Sequence, residues 1–264
     1  MTLEPPSLNL LASIREEIDL IDDQLLSLLE QRFSVTEKVR HAKADSKESW
    51  PLPLRPAREA AILQRLLAKA KGGVLNPDLV VRLWRAILSQ SSVNQSPMNL
   101  HVSRHLNANI GHRLRLRDHF GPIPVEDYRD EAQAMLQINA HPSDLCVVET
   151  DQPWAEAFVT GKAGAARVIA AIPVLQERGM PRLLVLGQAP ASGIGAHETL
   201  VISSGKLPRA FSPEPLWQVK SGALRLSALP GFLAEHESPL VGLMRSNTAL
   251  GLVLAGHYSP AIEI

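Results

Sequence analysis

The sequence predicts a multidomain fold, an all-helical segment over residues 8–96 followed by an α/β domain over residues 100–264. Three observations carry this. Residues 8–44 contain neither proline nor glycine, and their apolar positions recur with a helical period. Beyond residue 96 the pattern turns to short β-rich runs punctuated by glycine and proline. Between them lies the polar stretch Ser89–Pro97, whose Ser96-Pro97 step disfavours helical geometry.

In the first segment Ile14, Ile18, Ile21, Leu25, Leu28, Val35, Val39 and Ala42 follow a 4-3-4-3 spacing, an apolar seam along one helix. Such a helix is roughly 50 Å long. Fewer than a hundred residues cannot cover a rod of that length, but a second copy can, which argues for an intertwined homodimer. The proline-rich connection Trp50–Pro56 places Pro56 in the first turn of a second helix, which stops at Gly72-Gly73. Asn76-Pro77-Asp78 then reads as the cap and first turn of a third helix reaching about Gln95.

Several polar residues fall on faces that should be apolar. Arg32 holds the seam position between Leu28 and Val35, and a cation buried alone there costs several kcal/mol. Lys43 lies eleven residues on, about 16 Å along the axis on nearly the same side. Arg15 lies too far along the helix to serve that pocket from the same chain, but is placed to serve a neighbour's. Glu59 shares a face with Leu63, Leu66 and Ala70, while Ser91 and Gln95 extend the Trp84, Leu88 stripe. Structural roles are the alternative: Arg32 snorkelling or bridging to Glu59, Arg15 pairing with Asp19 or Glu16, Gln95 at a frayed end. Taken together, the positions suggest a helical dimer that binds a small anion.

The run Leu11–Arg32, with its early Arg15, Ile18-Asp19, Leu25-Leu26 and Arg32, resembles the opening of the all-helical chorismate mutases. Lys43, the pair Arg58-Glu59, and Ser91 with Gln95 continue that resemblance in order over residues 8–96. It departs at Arg55, where that family often has an acidic residue, and in a longer loop between Lys43 and Arg58. The resemblance implies conversion of chorismate to prephenate, a pericyclic rearrangement that needs no cofactor and no metal. It implies that Arg15 of the partner chain and Arg32 clamp carboxylates, and that Lys43 and Gln95 donate to the ether oxygen. Glu59 would hold the ring hydroxyl, supported by Arg58 and Ser91.

In the second segment Val125–Ile138 has helical spacing, and strands are expected at 145–148, 168–172, 183–186, 199–202 and 250–254. The stretches Asp118–Gly121 and Asp144–Glu149 resemble prephenate dehydratase, whose catalytic domain has two lobes like periplasmic binding proteins. That family's Thr-Arg-Phe motif is missing, and Thr248-Ala249-Leu250 is no substitute. The resemblance therefore implies a degenerate dehydratase-like domain, kept for regulation or interaction. A bifunctional mutase/dehydratase and a non-catalytic sensor of an aromatic-pathway metabolite are the alternatives.

The remaining features narrow the class. The chain has 264 residues with 27 basic and 27 acidic side chains, so nothing draws it to nucleic acid. No run approaches the ~20 apolar residues of a membrane span, and the opening Met-Thr-Leu-Glu-Pro-Pro lacks a signal-peptide pattern, so a cytoplasmic location is expected. The single Cys146, within Leu145–Val148, excludes an internal disulfide framework and reads as a buried thiol. The glycines of 187–195 lack the ending of a phosphate loop. His101 and His105 are the one histidine pair at i, i+4 spacing, and no metal site is expected there.

Overall fold

The computed structural model describes residues 6–44, 52–176, 179–189, 193, 195–208, 211–246 and 248–263; within the first helix, side chains are described for residues 10–38. The chain divides into two compact units, residues 1–49 and residues 50–264.

The first unit is built on α1 (Pro6–Ala44), 39 residues without a break, as the absence of helix breakers predicts. Its seam stays open to solvent: Ile14, Ile18, Ile21, Leu25, Leu28 and Val35 are all exposed. A single helix has nothing of its own to bury such a stripe against, and contiguous exposed apolar surface of this kind marks a contact site.

The second unit begins with α2 (Pro56–Ala70) and α3 (Pro77–Val93). Proline stands at the first turn of each, and the Asn76 side chain accepts from the Asp78 N–H at 2.8 Å, the cap that the sequence suggests. These two helices share a compact unit with the sheet. Leu63, Val81 and Leu88 form a small core, against which Val174, Leu175 and Ile262 pack.

The α/β part follows as β1 (Leu100–Ser103), α4 (Arg104–Ala108), α5 (Ile110–Phe120), β2 (Val125–Tyr128), α6 (Glu131–Ala140), β3 (Leu145–Glu149) and α7 (Ala155–Val159). Then come β4 (Arg167–Ile172), β5 (Leu183–Gly187), β6 (Glu198–Ser203), β7 (Trp217–Ser221), β8 (Leu224–Pro230), α8 (Leu240–Ser246), a 3-10 turn at Thr248–Leu250 and β9 (Val253–Tyr258). The strands form one mixed sheet in the order β2-β1-β3-β5-β4-β9-β6-β8-β7. It narrows between β4 and β9, which run parallel with the single registered pair Val168↔Gly256. Where the sequence suggested two lobes, the structure thus has one sheet with a narrow seam. One core crosses that seam, joining Val148, Val168 and Leu184 to Leu200, Ile202 and Leu226. A second lies on the other face of β1 and β3, under Leu106, Leu116 and Phe120 of α4 and α5.

Two expectations need correcting. The helical spacing of Val125–Ile138 spans two elements, β2 and α6. The break is Asp130, whose carboxylate accepts from the Gln133 N–H at 2.9 Å and starts α6 there. The strand expected at 250–254 begins at Val253, after the 3-10 turn and a left-handed Gly251.

Cys146 lies fully buried on β3, and burial, with Glu131 adding to it, pushes its thiol far above the ordinary range. A thiol reagent at neutral pH is expected to leave the native protein unmodified and to label one thiol after denaturation. Fast labelling of the native chain, followed by absorbance, would refute this burial.

Candidate functional site

Glu59 stands in the first turns of α2, its backbone N–H bonded to the Arg55 carbonyl at 2.9 Å. Its carboxylate is 7% exposed, and its partner is Arg85 of α3, with Nη1 to Oε2 at 2.5 Å. Arg85 is itself 3% exposed. Its Nε–H donates at 2.9 Å to the carbonyl of His119, at the C-terminal end of α5 where backbone carbonyls lack helical partners. One turn on, the Ser89 hydroxyl donates to the Phe120 carbonyl. Two α3 side chains thereby fasten the helix to the end of α5, and Gly121, with φ +69°, turns the chain away. Burial, and then the Arg85 charge, hold the His119 imidazole well below its ordinary pKa, so it is neutral at physiological pH.

The pair borders a pocket of about 470 Å³, counting its open mouth, lined by Leu54, Leu63, His119 and Ile262 among others. The site is mostly apolar with one internal ion pair. Removing one partner of such a pair costs about 3–5 kcal/mol, because the other charge is left stranded.

The residues singled out from sequence are distributed over both units. Arg15 is exposed on α1. Arg32 is half-buried on the same helix, its guanidinium 6.0 Å from the Phe33 ring centroid, and burial lowers its pKa. Lys43 belongs to the last turn of α1, with its side chain outside the described residues. In the second unit Arg58 is exposed, while Ser91 is buried and donates to the Ile87 carbonyl at 2.8 Å. Gln95 donates to the Ser91 carbonyl at 3.0 Å, so these two stand one turn apart, Ser91 in the last turn of α3 and Gln95 just past its end. The structure therefore joins Ser91 to Gln95, and Glu59 to Arg85. Sequence reasoning missed Arg85, although Val81, Arg85, Leu88 and Ser92 repeat the 4-3-4 spacing that exposed Arg32.

Further polar groups sit at the two ends of β1 and β3, His101 with Asp144 at the N-terminal end and Glu149 with His105 and His112 at the C-terminal end. His101 and His105 diverge, because the chain passes from strand to helix between them and helical spacing does not apply. His101 is buried on β1, with Nε2 2.9 Å from Asp144. His105 on α4 is exposed and stands 3.5 Å from Glu149 at the end of β3. His112 of α5 lies 3.2 Å from the other Glu149 oxygen. Burial lowers the His112 pKa more than Glu149 raises it. Among the described residues no three such groups are arranged to hold a metal ion. The Thr248–Leu250 turn is held by the Ser204 hydroxyl, which donates to the Ala249 and Leu250 carbonyls at 3.2 and 3.1 Å.

Comparison with known proteins places the site in a family context. Residues 14–96 match the family model described as chorismate mutase type II. The bifunctional chorismate mutase/prephenate dehydratase of Escherichia coli K12 is 32% identical over 117 residues, covering 44% of this chain and 28% of that protein. Those of Aquifex aeolicus and Pseudomonas aeruginosa are 34% and 30% identical over 82 and 92 residues, covering 30% and 34% of this chain. The match spans 22% of the Aquifex protein and 25% of the Pseudomonas one, so this chain aligns with only about a quarter of the length of these relatives. Among solved structures, a prephenate dehydratase from Streptococcus mutans aligns with 64% of this chain and 100% of its own, at 11% identity and a TM-score of 0.37. GqqA, described as a novel type of quorum quenching acylase, aligns with 63% of this chain and 96% of its own, at 11% identity and a TM-score of 0.36. The N-terminal segment is thus of chorismate mutase type, joined to a mixed α/β part.

Proposed function

We propose that the chain is a two-domain cytoplasmic enzyme of aromatic amino-acid biosynthesis, with chorismate mutase chemistry in residues 8–96 and a dehydratase-like domain over residues 100–264. This is the layout of a bifunctional enzyme rather than of a mutase alone. The observation that carries the mutase reading is that Arg15, Arg32, Lys43, Arg58, Glu59, Ser91 and Gln95 all fall within the 14–96 family match.

The rearrangement asks the protein to hold a dianion folded and to stabilise charge gathering on the breaking ether oxygen. Arginine forks suit the carboxylates, and preorganised donors such as Lys43 and Gln95 suit the ether oxygen. Glu59 accepts from the ring hydroxyl, with Arg58 and Ser91 in support. In this reading two chains share each site: the exposed seam of α1 suits a second copy, and Arg15 is assigned to that copy's pocket. The relatives named as bifunctional enzymes favour a dehydratase reading of the second half. Ala249 within the Thr248–Leu250 turn opposes it, since a methyl cannot do what the family's arginine does.

The deciding experiment follows loss of chorismate absorbance with the full chain and assays phenylpyruvate before and after acid treatment. Saturable turnover with phenylpyruvate appearing only after acid establishes mutase activity with a silent second half. Phenylpyruvate without acid establishes bifunctional catalysis. Binding without turnover makes the protein a sensor and refutes the enzyme reading. The shared pocket has its own test: mixed Arg15→Ala and Arg32→Ala chains, each inactive alone, should regain about a quarter of wild-type activity, since roughly half of the chains pair as mixed dimers, each with one intact pocket. No recovery after confirmed subunit exchange counts against a dimer with shared sites.

A further inference from the structure

We infer that Arg85 is the positioning residue for Glu59, and that the α/β elements reach the mutase site through it by way of the His119 carbonyl. The inference rests on the mutase reading above and adds to it a residue outside the seven resemblance-bearing positions.

The geometry is a three-part relay. The His119 carbonyl fixes Nε of Arg85, the plane of the guanidinium fixes Nη1, and Nη1 fixes Oε2 of Glu59. Both side chains of the ion pair are almost fully buried, so neither has room to choose another rotamer. The pair engages Oε2 and leaves Oε1 as an acceptor for a substrate hydroxyl. Among the described residues lining the pocket, Arg85 carries the single positive charge. Its remaining Nη2 is buried without a hydrogen-bond partner. A guanidinium serving packing alone would not be left with an unmet donor at that cost.

Among the described residues Arg85 is also the one charged partner that Glu59 meets from another helix. The groups facing that carboxylate from other elements are Arg85 on α3 and the neutral His119 on α5. From its own helix the nearby cations are Arg55 and the exposed Arg58. Around β4 and the C-terminal stretch the lining residues, such as Ala170, Ala171 and Ser259, are uncharged. Without the guanidinium the carboxylate loses the partner that fixes Oε2 and can turn away from the substrate hydroxyl.

The test is steady-state chorismate turnover by the full chain, for wild type, Arg85→Met, Arg85→Lys, Glu59→Gln and the double variant. Misplacing a group that holds substrate costs on the order of a hundredfold, so Arg85→Met is expected to lower kcat/KM by that order. The loss should appear in kcat and not in KM alone, and Arg85→Lys should restore part of it. The double variant should be no slower than Glu59→Gln alone. It also removes both charges together, so that the comparison with Glu59→Gln survives even if Arg85→Met fails to fold. A double variant slower than Glu59→Gln by the full Arg85→Met factor, or an Arg85→Met enzyme with unchanged kcat, overturns the inference. Absence of turnover in the wild type instead overturns the mutase reading on which it stands.

Discussion

If the proposed mutase reading holds, replacing Lys43 with alanine is expected to lower chorismate turnover by about a thousandfold while leaving the proposed dimer intact. The argument begins with position. Lys43 occupies the last turn of α1, eleven residues beyond Arg32, so the helical period sets the two positions on nearly the same face of one helix. A cation in the last turn of a helix is favoured by the C-terminal end of the helix dipole. In the proposed reaction that charge meets negative density developing on the ether oxygen, and removing one donor of this kind costs ~10²–10³ in rate. The loss should appear in kcat more than in KM, because the interaction strengthens only as the bond breaks. Arginine should rescue poorly, since its flat fork does not reproduce a compact point charge. Subunit mass by light scattering supplies the control. Loss of the dimer would make Lys43 structural, and unchanged turnover would remove it from the mechanism.

How far the sequence made this molecule legible varies by element. The long first helix was readable because nothing in residues 8–44 can break it and because the seam repeats faithfully. Pro56, and Asn76 with Pro77, announced the starts of α2 and α3 through local chemistry that tertiary packing does not override. The strands at 145–149, 167–172, 183–187 and 198–203 were visible as short apolar runs. The β1 strand was not, since Leu100-His101-Val102-Ser103 is too short for its alternation to stand out, and all four residues are buried whatever their polarity. Nor was β7, where Gln218 and Lys220 make an edge strand polar. In the site, Glu59 was visible as a charge on an apolar face. Its cation was not, because the carbonyls that hold Arg85 and Ser89 belong to α5, some thirty residues away in sequence. A pattern along one helix cannot report what packs against it from another.

Gly256→Ala is expected to have the largest effect on stability, and to reach the helices as well as the sheet. At the seam Gly256 pairs with Val168, and a Cβ there would sit 2.1 Å from the Val168 carbonyl oxygen and 2.6 Å from its nitrogen. These are backbone atoms that cannot swing aside, and the residue's φ of +148° lies in a region that suits glycine. The strands must therefore part, at a cost of more than about 4 kcal/mol, in the range reserved for severe steric conflict. Beyond the seam the same two segments meet again, with Leu175 bridging Ile262 and the Ile262 N–H donating to the Val174 carbonyl at 2.7 Å. Those residues pack on Leu63 of α2, one turn from Glu59. Opening β4 from β9 should therefore loosen the floor beneath the Glu59–Arg85 pair. Urea unfolding is expected to show a much lower midpoint, with mutase turnover falling in parallel. Gly231→Ala is the control, since it also has a positive φ, +84°, but open space around its Cβ. It should cost about 1 kcal/mol for the backbone alone. Equal losses in the two variants would mean that the seam yields without strain. A fall in stability without any fall in turnover would mean that the sheet does not support the site.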